Sequence, residues 1–423
     1  MRQIHDVCMP YGPDPSPSCR GRPQAGRLRD HFPLPIDPTS THAAPHTPMT
    51  PSHATAAAAP LAVGAEPARD QDRWVAYWLL LCCLMIALMV VIGGVTRLTD
   101  SGLSITEWRP LLGWIPPLSQ ADWEDLFAKY REIPQYQLLN LGMSLPEFQN
   151  IFWWEYIHRF WGRLIGVVFL LPLLWFVLRG QVRGRLAVRL GGLFVLGGLQ
   201  GALGWYMVAS GLVDRVSVSP YRLTAHLGLA VAIYAYALWL ALDLLAVSGR
   251  GQDSAGVCRL RAGYAAFSGL IALTMLSGGF VAGLDAGMTY NTFPLMDGRL
   301  VPDGYGDLQP WWLNLFENIA AVQFNHRVLA MLVVLSAAGL WGVSLKVRLW
   351  NRAVNLVLAV YAMALAQAGL GIATLLLVVP VSIAAAHQAG AMMLLTLGLW
   401  TAHELGLSRR SLPAPGGNRH TAL

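Results

Sequence analysis

The sequence predicts an all-α integral membrane protein of about eight transmembrane helices, built as two tandem four-helix bundles related by a pseudo-twofold axis along the membrane normal. Three observations predict it. Apolar residues make up 55% of the chain and charged residues 13%, with a mean hydropathy of +0.45. Soluble domains carry roughly twice that charge, about 25%. Apolar runs of about 20 residues, enough to cross roughly 30 Å of hydrocarbon, recur along most of the chain. The motifs of the first half also return in the second.

In chain order, residues 1–70 come first, rich in Pro, Ala, Ser, Thr and His. They hold no apolar run long enough for a signal-peptide core and read as a disordered leader, within which Met49 offers an alternative start. The spans are expected at 74–94, 160–178, 187–209, 222–245, 262–283, 327–345, 353–377 and 381–402, and 406–423 as a polar tail. Arg69, Arg73, Arg179, Arg183, Arg185, Arg189, Arg250, Arg259, Arg261, Lys346, Arg348, Arg352, Arg409, Arg410 and Arg419 all fall on one side if the spans alternate. The positive-inside bias makes that side cytoplasmic, with both termini there. The other side receives two long loops, 95–157 and 284–325, carrying acids and the tryptophans Trp108, Trp114, Trp123, Trp153, Trp154, Trp311 and Trp312, suited to a membrane–water interface. The pI near 9.2 then reflects topology, and nucleic acid is not an expected partner.

The duplication is read from matched motifs. Gly93-Gly94 matches Gly278-Gly279, and the Leu98–Leu103 run parallels Leu284–Met288. His158-Arg159 matches His326-Arg327, Gln200–Gly204 matches Gln367–Gly371, and Ala225-His226 matches Ala386-His387. The halves are 71–250 and 251–405. Gly191-Gly192 and Gly197-Gly198, inside a span, read as points of close helix packing. Cys82 and Cys83 read as apolar filler; with Cys8, Cys19 and Cys258 they make up all the cysteines, and no structural disulfide is expected.

Of eleven histidines, His158, His226, His326 and His387 alone sit at the outer ends of inward-running spans, so their rings share one depth. A lone histidine in a span is most often a packing residue. Four at one depth, paired by duplication, point instead to heme iron held by two imidazoles per half. A proton relay is the rival for such groups, and zinc is disfavoured because two imidazoles without nearby cysteine leave its coordination incomplete. The halves differ at one position: Glu155 stands three residues before His158, and Gln323 three before His326. Partly desolvated at the edge of the apolar core, Glu155 suits proton transfer at the first site, or else it is a helix-start acid favoured by the dipole. Arg159 and Arg327 suit heme propionates or interface anchoring.

The run Gly93-Gly94-Val95-Thr96-Arg97-Leu98-Thr99-Asp100-Ser101-Gly102-Leu103-Ser104, with Glu155-Tyr156-Ile157-His158-Arg159 and Asn325-His326-Arg327, resembles the heme A synthase family. So do Gly283–Gly287 and Asn291–Met296, and the resemblance covers about 72–405. It implies a membrane enzyme that oxidises the C8 methyl group of heme O twice, the resulting gem-diol losing water to give the formyl group of heme A for cytochrome oxidase. It maps the substrate heme onto His158 and His226, with Glu155 catalytic, and a heme b cofactor onto His326 and His387. Some members carry a cysteine pair in the first outer loop; no cysteine lies in 95–157 here, so the chain resembles the proteobacterial and mitochondrial branch.

The expected location is the cell inner membrane, or the mitochondrial inner membrane if the source is eukaryotic. Expected partners are heme O synthase, cytochrome oxidase assembly factors, membrane lipid, an external electron donor and a further copy of the chain. The donor is external because the sequence carries no flavin or nicotinamide fingerprint. Two other classes use the same pattern differently. A diheme b-type electron-transfer cytochrome needs the four histidines but not an acid in one half only. A repeat-built transporter keeps its ionisable groups nearer mid-membrane.

Overall fold

A computed structural model describes residues 66–108, 113–214, 216–246 and 254–406. The leader expected over 1–70 therefore lies outside the described residues except at its end, where the first helix begins, and the tail lies outside them beyond Gly406. Eight helices are long and apolar enough to span a membrane. They are α1 (Glu66–Leu98), α4 (Leu145–Leu178), α5 (Gly184–Asp214), α6 (Pro220–Leu245), α7 (Ala255–Gly283), α8 (Ile319–Ser344), α9 (Asn351–Leu376) and α10 (Val381–Glu404). Two short helices, α2 (Gln120–Arg131) and α3 (Pro134–Leu138), lie in the loop before α4. No named strand occurs among the described residues; a lone bridge joins Met296 and Arg299.

All eight expected spans are present, and one begins much earlier than its apolar run. The signal for α4 is a capping box: the Ser144 amide donates to Glu147 Oε2 at 2.7 Å, and Pro146 sits in the first turn, where its missing N–H costs nothing. The helix then carries Phe148 and Phe152 against Trp123, Phe127 and Tyr130 of α2, with Tyr156 stacked on Phe152, before it enters its apolar stretch. His158 thus lies well inside α4 rather than at its opening.

Within the first half α1 packs on α4 and α6; in the second, α7 packs on α8 and α10. The halves meet where α6 lies on α7 and α1 on α10. Lipid offers no hydrophobic drive between helices, so close approach has to come from small residues. A methyl at Gly283 would come within 2.7 Å of the Pro220 backbone, and one at Gly279 within 2.9 Å of Thr224 Oγ1. The glycines expected to pack closest do not. A methyl at Gly191, Gly192, Gly197 or Gly198 would meet no other atom within 4 Å. They lie on α5, which with α4 is the least buried of the spans, so these positions face outward. Cys82 and Cys83 are buried in the core, as apolar filler would be.

Both α1 and α7 end in the same turn. Asp100 and Asp285 adopt φ of 51° and 52°, the left-handed region that aspartate tolerates better than most side chains. The segments that follow, 101–107 and 286–292, fold back against Glu155 and Arg159 of α4 and against Gln323 and Arg327 of α8.

Candidate histidine site

Each of the four histidines lies against a glycine of the preceding span. A methyl at Gly93 would come within 3.1 Å of His158 Nε2, and one at Gly204 within 3.0 Å of His226 Cε1. In the second half a methyl at Gly278 would reach 3.2 Å from His326 Cε1, and one at Gly371 2.9 Å from His387 Cε1. The imidazoles therefore occupy notches that only glycine leaves open. His158 and His226 are near enough to interact electrostatically, as are His326 and His387.

A second repeated contact fixes the backbone beside two of these rings. Gln200 of α5 donates through Nε2 to the His226 carbonyl at 3.0 Å, and Gln367 of α9 donates to the His387 carbonyl at 2.9 Å. Gln367 Nε2 also lies 3.1 Å from His387 Nδ1. His226 Nδ1 is buried with no hydrogen-bond partner in the protein. Nitrogens left this way in an apolar interior are costly unless something else binds the ring. Among the described residues no cluster of three or more His, Cys, Asp or Glu could hold a metal ion by itself. Imidazoles set in glycine notches, one with an orphaned ring nitrogen, fit a heme, to whose iron they would offer nitrogen ligands.

The difference at Glu155 and Gln323 is larger than one charge. Glu155 is 2% exposed and surrounded by donors. Its Oε2 accepts from Ser104 Oγ and from the Ile105 amide, each at 2.8 Å. Its Oε1 accepts from Arg159 Nε at 3.0 Å and Nη2 at 2.5 Å. Gln323, 3% exposed, reverses the polarity: its Nε2 donates to the Ala286 and Thr289 carbonyls at 2.8 and 2.9 Å, while its Oε1 takes an Arg327 N–H at 3.2 Å. The return segment offers a hydroxyl and an amide in one half and carbonyls in the other.

Both arginines reach that segment. Arg159 donates to the Ile105 and Glu107 carbonyls at 2.7 and 2.9 Å, and Arg327 to the Tyr290 and Thr292 carbonyls at 2.6 and 2.8 Å. In the structure they anchor loops. Arg97 ties the two turns together, donating to Asp100 at 2.8 Å and to Asp285 at 2.6 Å. Above the first turn Gln135 donates to the Asp100 carbonyl at 2.9 Å, and its Oε1 accepts from Tyr130. Tyr130 is fully buried, and burial pushes its hydroxyl above the usual tyrosine range.

Sequence reasoning placed the four histidines, Glu155, Arg159 and Arg327, and missed Ser104, the two Gln–carbonyl contacts and the glycine notches as parts of the site. Gln200 and Gln367, Gly93 and Gly278, and Gly204 and Gly371 were visible as repeated letters, which is the signal that could have found them. Ser104 carries no comparable signal.

Eight spans enclosing a duplicated pair of glycine-notched histidines define a multi-pass membrane protein of heme-handling type. The family model COX15-CtaA, cytochrome oxidase assembly protein, matches residues 76–399, and the chain belongs to that family. It is similar to the heme A synthase of Nitrosospira multiformis, 53% identical over 332 residues that cover 78% of this chain and 93% of the relative. It is also similar to that of Paramagnetospirillum magneticum, 53% identical over 342 residues covering 80% and 96%. The heme A synthase of Rhodospirillum centenum is 52% identical over 348 residues covering 81% and 91%.

Proposed function

We propose that this chain is a heme A synthase, converting heme O to heme A by two successive oxidations of one methyl group. The observation that supports this best is the pair of repeated Gly–His sites with a donor-bound carboxylate, Glu155, beside one and an amide, Gln323, beside the other. A protein that only passes electrons between two equivalent hemes has no use for that difference. The relatives named heme A synthase share about half their residues with this chain over nearly their whole length.

In this reading the first half binds the substrate. His158 of α4 and His226 of α6 would hold the heme O iron and so place the substrate in this half. Glu155 would serve as proton acceptor and donor at this site, kept in place because Ser104, Ile105 and Arg159 hold both its oxygens. After the second oxidation the hydrated aldehyde loses water, a step that needs proton transfer at the same site. The return segment 101–107 and the aromatic layer of α2 lie over this end and limit water.

The second half holds heme b between His326 and His387 as the resident cofactor. Held by these two histidines, a heme b would supply one-electron transfer. Gln367 steadies the backbone at His387 through its hydrogen bond to that residue's carbonyl. Arg159 and Arg327 are placed to meet propionates as well as loop carbonyls.

The orientation follows from charge. The end that carries the histidines and long loops faces away from the cytoplasm, and the arginine-rich turns between α4 and α5 and between α8 and α9 face it, in the cell inner membrane. The two halves act as tandem bundles about a pseudo-twofold axis, an arrangement the repeated contacts support. Electrons come from a separate donor, and heme O synthase and oxidase assembly factors are the partners that substrate supply and product delivery call for.

Pigment extraction tests the proposal. Membranes from cells making this protein with a heme O source should yield heme A by chromatography. Heme O alone, beside a full complement of bound heme b, would leave an electron-transfer cytochrome as the function.

A further inference from the structure

Ser104 is 2% exposed and lies on the segment that returns over α4. Its single hydroxyl proton has two acceptors in reach, Glu155 Oε2 at 2.8 Å and the Ile151 carbonyl at 3.4 Å. The shorter contact takes it, because the acceptor is an ionisable oxygen and the geometry at 3.4 Å is near the limit of a hydrogen bond. The neighbouring Ile105 amide points at the same oxygen. Oε2 is thus pinned from the loop, and Oε1 is pinned from the helix by Arg159.

The loop itself cannot drift. Arg159 grips the Ile105 and Glu107 carbonyls on one side of Ser104, and Gln135 and Arg97 hold Asp100 on the other. In the second half the corresponding turn presents the Thr289 carbonyl, which serves as an acceptor for Gln323. The serine hydroxyl as donor therefore belongs to the half whose equivalent residue is an acid.

We infer that Ser104 is a positioning residue for the first site: its hydroxyl fixes the rotamer and lone-pair direction of Glu155 toward the reacting edge of the substrate. This rests on the proposed role of Glu155. Without the hydroxyl, the carboxylate keeps Arg159 and the Ile105 amide but gains freedom to rotate about its terminal torsion. Proton transfer is sensitive to such misplacement, whereas substrate affinity comes from the histidines and the porphyrin pocket.

The test uses purified holoprotein carrying heme b, with heme O as substrate. Ser104→Ala should lower kcat about tenfold with KM and the heme b spectrum unchanged. Ser104→Thr, which keeps a hydroxyl, should recover most of the rate. If Ser104→Ala loses its heme b band, Ser104→Cys, of similar size and with a weak donor, is read by the same split. Equal loss in the Ala and Thr variants, or a rise in KM at constant kcat, would overturn the positioning role. Glu155→Gln separates the two ideas: wild-type conversion in that variant removes the role of Glu155 itself. A dead Glu155→Gln beside a fully active Ser104→Ala removes only that of Ser104.

Discussion

Glu155→Gln is the sharpest perturbation, because the structure shows that it is not a silent one. A glutamine must place its NH2 where one carboxylate oxygen stood. At Oε1 it would face the Arg159 guanidinium, at Oε2 the Ser104 hydroxyl and the Ile105 N–H. The second orientation wins. Ser104 can turn its hydroxyl to accept, and only the Ile105 amide is left without an acceptor, at a cost of about 1–3 kcal/mol. Setting the NH2 against Arg159 would face donors with donors and leave the guanidinium without an acceptor on this side chain, on top of the counter-charge that is lost in either orientation. Even in the better orientation Arg159 loses its counter-charge and keeps the Ile105 and Glu107 carbonyls. Gln323 escapes this penalty because its loop offers carbonyls.

The expected result is a first half destabilised by a few kcal/mol at most, a second half still binding heme b, and conversion of heme O reduced about a hundredfold or more, the usual scale for a lost acid–base group. The assay is the heme profile of variant cells by chromatography, read beside the reduced-minus-oxidised heme b spectrum. Accumulation of the singly hydroxylated heme would place Glu155 in the second oxidation or the loss of water. Wild-type heme A would show that Glu155 is a structural acceptor for its loop and nothing more.

The other expectations concern ligation, packing and topology. His326→Ala and His387→Ala should each abolish a low-spin heme b signal, and an unchanged difference spectrum in either would refute their assignment. Gly371→Ala places a methyl 2.9 Å from His387 Cε1 and should displace the ring by a few tenths of an ångström, lowering heme b content or shifting its band; Gly191→Ala, with open space around it, should leave both unchanged. Equal spectra for the two would count against the glycine notch. A reporter active only outside the cytoplasm should work when fused near Asp122 or Asp303 and fail near Arg185 or Gly256; the reverse pattern would invert the orientation.

The parts of this protein that a lipid environment dictates were legible in one dimension. A span must be continuously apolar, because no water satisfies its backbone, so all eight were readable from runs of letters. The histidines stood out because they recur at matched places in the two sets of spans, each against a glycine of the span before it. The start of α4 was misplaced because its first turns rest on an aromatic layer and a capping box, Ser144 with Glu147, rather than on a lipid-facing run. Gly191 and Gly197 misled because a glycine in a span has two meanings, close approach or an outward face, and only the neighbouring helix decides between them.

Glu155 against Gln323 was legible as a difference in charge but not in what it costs. That depends on whether a backbone amide or a backbone carbonyl faces the side chain, and both come from return segments that follow the same turn at Asp100 and Asp285. The scaffold is repeated while the polarity of one hydrogen-bond set is inverted. A duplicated bundle can therefore hold two similar ligands and treat them differently: the donor-lined half stabilises an acid beside its histidine, and the carbonyl-lined half accepts only an amide. Exchanging the pair, Glu155→Gln with Gln323→Glu, should not exchange the functions. The second half would bury a carboxylate against the Ala286 and Thr289 carbonyls, with Arg327 as its sole donor, and should lose stability before it gains any chemistry.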